Sequence, residues 1–217
     1  MLGVSTGRRL AYGAVRPAMA AIGWQARASG WFTRDVTPSR LGVAVVTTRV
    51  LGVSKGQAYA TVLVGVRDEA VERLVAELSG GRDQGYRQRT VLTGIGSLMF
   101  HRGWHEWHVS PKTSDAAASA MADAVRQDGE PWMMKLAIDD AALATAVRAG
   151  LVEGVGTMFR VPIIEVLQGR VVEASQYVAW RTERLAGQSG PAVDDELRAA
   201  EAVRHWIDHR APRIQQN

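Results

Sequence analysis

The sequence predicts an α+β fold in which an antiparallel sheet, built from an N-terminal hairpin and meander plus later strands, is covered by helices and followed by C-terminal helices. Three observations carry this expectation. Val- and Thr-rich stretches bounded by turn residues fall between Trp24 and Val109. Helix-period apolar positions dominate after Ser114. The regular β-α-β alternation of a doubly wound parallel sheet is missing.

Leu10, Ala14, Ala18 and Ile22 recur at helical spacing, with Pro17 kinking the helix or opening its second half and Gly23 ending it. Trp24–Ala28 and Trp31–Val36 flank Ser29-Gly30, a pair suited to a tight hairpin turn. Leu41–Leu51 and Ala58–Val66 read as further strands around a turn cluster at Gly52–Gln57, which completes a four-stranded meander. Arg67-Asp68-Glu69 opens a helix with Val71, Leu74, Val75 and Leu78 on one stripe and Gly80-Gly81 as its end. After a polar loop from Arg82 to Arg89, Val91–Met99 and Trp104–Val109 read as two more strands, with Gly94 and Gly96 weakening or bulging the first.

Ser114-Asp115 caps the next helix, which turns Ala118, Met121 and Val125 inward and is expected to stop at Gly129. Asp139 caps another, with Leu143 and Val147 inward and Gly150 at its end. From Val161 the chain reads as helix: Val171, Ser175, Val178, Thr182 and Leu185 share an inner face, and Arg170, Glu173, Tyr177, Arg181 and Arg184 a solvated one. Val193, Leu197, Ala200, Val203 and Ile207 mark a last helix, and Arg213–Asn217 a frayed tail. Residues 1–190 are expected to form one α+β domain and 191–217 a C-terminal helix and tail.

The chain has 217 residues, 47% of them hydrophobic and 22% charged, which is the balance of a folded domain and not of a disordered one. It has no cysteine, which excludes disulfides, thiolate zinc sites, iron–sulfur clusters and a cysteine nucleophile, and points to a reducing, cytoplasmic compartment. No apolar run reaches the roughly 20 residues of a membrane helix. Arg8-Arg9 before the apolar stretch from Leu10, and Ala26-Arg27-Ala28 after it, have the look of an export signal. Arg16 and Pro17 break that stretch, so the first helix is read as part of the fold. The net charge is +4 and the isoelectric point about 9.8, with Lys55, Lys112 and Lys135 the only lysines. Arginines alternate with acids along most of the chain, whereas a nucleic-acid binder is expected to cluster its cations.

The order of these signals resembles a bacterial family known as domain of unknown function 4304. The resemblance lies in Gly23-Trp24 after the first helix, the aromatic-x-Arg step Phe32-Thr33-Arg34, Gly65 near the end of a strand, and Ile95-Gly96-Ser97-Leu98 followed by Trp104 or Trp107. Pro131-Trp132, a helix ending at Gly150 and the Gly169–Ala174 stretch extend it over residues 8–186. It implies a bacterial domain of this α+β order and brings no activity, cofactor or catalytic residue.

His101-Arg102-Gly103-Trp104-His105-Glu106-Trp107-His108 is the densest candidate for chemistry. On a helix, His101, His105 and His108 would share a face and could hold zinc with Glu106 nearby. Gly103 disfavours a helix, and on a strand His105 and Trp107 would face away from Glu106 and His108. The favoured reading is a turn entering a strand, with no metal or cofactor assigned. His205 and His209 lack the glutamate that follows the first histidine in a zinc-protease helix. Thr93-Gly94-Ile95-Gly96-Ser97 lacks the third glycine of a phosphate loop. The pairs Asp139-Asp140 and Asp194-Asp195 are explained by capping.

Trp104 and Trp107, three apart beyond a glycine, cannot easily both be buried, and an exposed tryptophan beside Arg102 and His105 would form a recognition patch. The leading expectation is therefore a non-catalytic binding domain that recognises a protein partner through Arg102, Trp104, His105 and Trp107. The alternatives are a histidine-metal enzyme and an arginine-mediated nucleic-acid binder.

Overall fold

The computed structural model describes residues 6–48, 57–81, 83, 85–151 and 157–214. Its architecture is α+β: six strands come before Ser110 and helices fill the rest of the described chain. Two compact units are formed, one from the described residues up to Val66 with Leu92–Ala137, the other from Arg67–Val91 with the described residues from Ile138 onward. Among the described residues no helix is long and apolar enough to cross a membrane.

The first unit holds the sheet. Its strands β1 (Gln25–Ala26), β2 (Trp31–Val36), β3 (Ser39–Thr48), β4 (Ala58–Asp68) and β5 (Val91–Gly94) lie in chain order, and β6 (Trp107–Val109) pairs with β4. Antiparallel registers pair Phe32 with Val43, Val36 with Ser39, and Ala60 with Trp107. Leu41, Val43 and Val45 on β3 and Val62, Val64 and Val66 on β4 are buried, as β-branched residues on a packed sheet should be. The turn cluster expected at Gly52–Gln57 lies, except for Gln57, outside the described residues.

Helix α1 (Thr6–Ala21) packs on β1, on β3 and on α3 (Ser114–Ala124). The side chains it buries are Gly7, Ala11, Val15 and Met19, one residue round from the expected Leu10, Ala14, Ala18 and Ile22, which are half-buried. Small residues explain the shift, because a Cβ on Gly7 would lie 2.7 Å from the Gln57 carbonyl oxygen. The hairpin turn also departs from expectation. Ala28–Gly30 is a 3-10 turn with Ser29 at φ 59°, which leaves β1 only two residues long. Trp24, next to it, is buried and donates its indole N–H to Glu130 Oε1 at 2.8 Å. Arg34 stacks over the Trp24 ring at 4.9 Å and pairs with the same carboxylate oxygen at 3.1 Å.

Gly129 does not stop a helix. The chain runs from α3 through a π turn, Val125–Gly129, directly into α4 (Glu130–Ile138). A Cβ on Gly129 would lie 3.1 Å from both Ile95 Cδ1 and Val64 Cγ1, so glycine here serves close helix–sheet packing. The strand expected over Val91–Met99 ends at Gly94, because Ile95–Ser97 forms a 3-10 turn, and the one expected from Trp104 begins at Trp107.

The second unit is helical: α2 (Glu69–Ser79), α5 (Asp140–Arg148), α6 (Thr157–Leu167), α7 (Val171–Leu185) and α8 (Pro191–Ile214). Helix α6 begins before the expected Val161, and every residue from Met158 to Val166 is buried. It is surrounded, packing against α2, α5, α7 and α8, which is what a helix apolar on all sides requires. Two charged residues ride in it. Arg160 donates to both carboxylate oxygens of Glu72 on α2, at 2.7 and 2.9 Å, with both side chains buried. Glu165, also buried, accepts from Arg148 and Arg170.

The face of α7 expected to be solvated is therefore partly engaged, since Arg170 pairs with Glu165 and Arg181 forks onto Glu196 of α8 at 3.0 Å through both nitrogens. On its inner face Ala174 is buried where Ser175 was expected, and Ser175 is exposed. On α8, Leu197 is exposed and Trp206 is buried. Both expected caps form: Asp68 accepts from the Val71 amide and Asp139 from the Ala142 amide. Burial nevertheless raises the Asp68 carboxyl above its ordinary value, outweighing the amides of Val71 and Ala70 that favour its charge.

Candidate functional site

After β5 the chain leaves the sheet at Ile95, circles, and returns at His105. Four backbone hydrogen bonds close this loop: Leu98 and Met99 donate to the Ile95 carbonyl, Arg102 to Met99, and Gly103 to Gly96 at 3.0 Å. The last bond demands glycine, because a Cβ on Gly96 would lie 2.1 Å from the Gly103 oxygen. Arg102 is held at φ 39°, in the left-handed region that side chains rarely occupy. The loop is thus compact and internally fixed. The Thr61 hydroxyl ties its far end to β4 by donating to the His105 carbonyl at 3.0 Å.

Two large apolar side chains stand in water on this loop, Phe100 at 94% exposure and Trp104 at 71%. Most large aromatics in folded chains are at least half covered, so exposed ones on a closed loop are the informative exception. Arg102 between them is exposed as well. Of the expected site residues, Trp104 and Arg102 face solvent, whereas His105 and Trp107 are half-buried and pack edge-on against each other at 4.4 Å. The four do not act as one cluster. They form an exposed tip and a stacked base.

Phe100 escaped the sequence reading because it was placed at the end of a strand, where it would have alternated into the sheet. The signal available was Phe100-His101-Arg102-Gly103 itself, an aromatic beside a turn glycine.

The three histidines are drawn apart. His101 packs edge-on against Phe100 at 5.5 Å, His105 against Trp107, and His108 tilts on Tyr59 at 5.5 Å while its Nε2 lies 3.4 Å from Gln57 Oε1. Glu106 accepts from the Thr48 hydroxyl at 3.3 Å. Among the described residues no three His, Asp or Glu side chains gather where they could hold a metal ion. In the second unit, His205 and His209 are exposed and stack at 4.2 Å, with a ring nitrogen of His209 against the His205 carbonyl. The arrangement at the loop can present apolar surface, a planar cation and ring edges to a partner.

Compared with protein-family models, curated proteins and solved structures, the chain matches none.

Proposed function

We propose that the chain is a non-catalytic binding module whose Ile95–Trp107 loop recognises a protein partner. The observation that carries the reading is the pair Phe100 and Trp104, held out in water on a loop closed by its own backbone hydrogen bonds. Ordering a flexible loop on binding costs free energy, and a loop already fixed avoids most of that cost. Tryptophan and arginine are the side chains most often found at energetic centres of interfaces, and Trp104 and Arg102 supply both.

The test compares the native chain with the double variant Phe100→Ala, Trp104→Ala, each checked for a native circular dichroism spectrum. Partners captured from extract of the source cells are identified by mass spectrometry and measured again as purified pairs. At least a tenfold loss of affinity in the double variant is expected for a partner of this loop. Equal affinity for every purified partner would remove the loop from the function.

A further inference from the structure

A cleft of about 350 Å³ opens in the first unit where α1 passes the turn between β1 and β2, within the roughly 300–1,000 Å³ range of small-molecule sites. Arg16 of α1 and Arg27 beside the turn both line it, and no Asp or Glu does. Arg27 is fixed by neutral acceptors alone among its described contacts, its Nε donating to Thr33 Oγ1 at 2.9 Å and its Nη2 to Gln25 Oε1 at 3.0 Å. The guanidinium is therefore oriented without being neutralised. Tyr12 and Phe32 supply aromatic walls. The Tyr12 hydroxyl accepts from Arg8 at 3.2 Å, and a Cβ on Gly30 would lie 2.5 Å from the Tyr12 ring, so ring and turn are in close contact.

Two further features mark the cleft. Ser29 in its wall keeps a left-handed backbone, φ 59° and ψ 36°, which non-glycine residues hold mainly where a site requires it. Gly13 lies within α1, where glycine weakens a helix, and a Cβ there would meet no atom within 4 Å. Packing thus does not require that glycine, and its missing side chain leaves the lip of the cleft open.

We propose that this cleft binds a small molecule carrying a phosphate or carboxylate on a planar ring, the anion taken by Arg16 and Arg27 and the ring laid along Tyr12 and Phe32. Guanidinium groups present paired donors that match both anions. The inference is independent of the aromatic loop.

Phenyl phosphate, benzoate and phenol are titrated into the full chain and followed by backbone amide chemical shifts. At least one anion is expected to bind with a dissociation constant of about 1 mM or tighter and to move the amides of Ala28–Gly30, with phenol at least tenfold weaker. Which anion binds distinguishes phosphate from carboxylate. Arg16→Gln, a change at an exposed helix position, is expected to weaken binding at least tenfold, and Arg27→Gln likewise. Gly13→Glu sets a carboxylate at the lip and is expected to abolish binding without lowering the unfolding midpoint. No shift with either anion up to about 20 mM, phenol binding as tightly as the anions, or binding unchanged in Arg16→Gln and Gly13→Glu would each overturn the proposal.

Discussion

In the second unit Arg160 and Glu72 form a forked ion pair with side chains 1% and 0% exposed, whereas the first unit's Arg34–Glu130 pair keeps 30% and 19% of its side chains in contact with solvent. The first unit buries β-branched and small apolar residues almost exclusively, and places Phe100, Trp104 and the Arg16–Arg27 cleft in water. The second spends its charges inward, on Glu72, Arg160, Glu165 and Arg67. A desolvated pair holds its geometry strictly but stabilises little beyond what apolar residues would, since desolvation offsets the attraction. The contrast assigns shape specification to the buried charges of one unit and surface recognition to the other.

The largest effect should come from breaking the buried pair. Glu72→Ala leaves Arg160 charged and unpaired by Glu72 in the interior, and is expected to cost about 3–5 kcal/mol in urea unfolding. Replacing both, Glu72→Leu with Arg160→Met, should recover most of that loss. If the double replacement is as damaging as the single one, the pair contributes attraction and not only specificity.

Gly96→Ala probes the other unit at about 1–3 kcal/mol, because the new methyl group meets a backbone carbonyl that cannot yield as a side chain can. Faster amide exchange over residues 95–103 should accompany it.

The smallest effect concerns Asp68, where two roles separate. Asp68→Ala removes an N-cap and should cost about 1 kcal/mol, while Asp68→Asn keeps the cap. The folded carboxyl holds its proton more tightly than the unfolded one, so the group's favourable contribution is fullest below the unfolded value. It is lost as pH rises through the raised folded value. Asp68→Asn should flatten stability over that acidic interval, and an unchanged pH profile would show that burial does not govern this carboxyl.

The order of strands before helices was legible because side-chain periods of two and near four are local properties. Asp68 and Asp139 were legible as caps for the same reason. What could not be read depends on contacts far along the chain. Gly129 has the composition of a helix end, but its neighbours Val64 and Ile95 make it a packing glycine. Arg170 and Arg181 look solvated by their spacing, and only the placement of Glu165 and Glu196 engages them. At the site, Trp104 and Arg102 were visible as a tryptophan and a cation beside a glycine. Phe100 was hidden by the strand assigned to it, because the bond from Gly103 to Gly96 that turns the chain joins residues seven apart.

The π turn at Val125–Gly129 fixes the phase of everything after it. Met121, Val125, Gly129, Met133 and Ala137 are all buried at steps of four, and in a regular helix such a stripe would creep around the axis by about 40° per step. One wide turn takes in an extra residue and brings the stripe back into line. Shortening this stretch by a single residue would therefore swivel α4 by about 100°, carrying Met133 toward solvent and uncoupling Glu130 from Trp24. In this helix the count of residues matters as much as their kind.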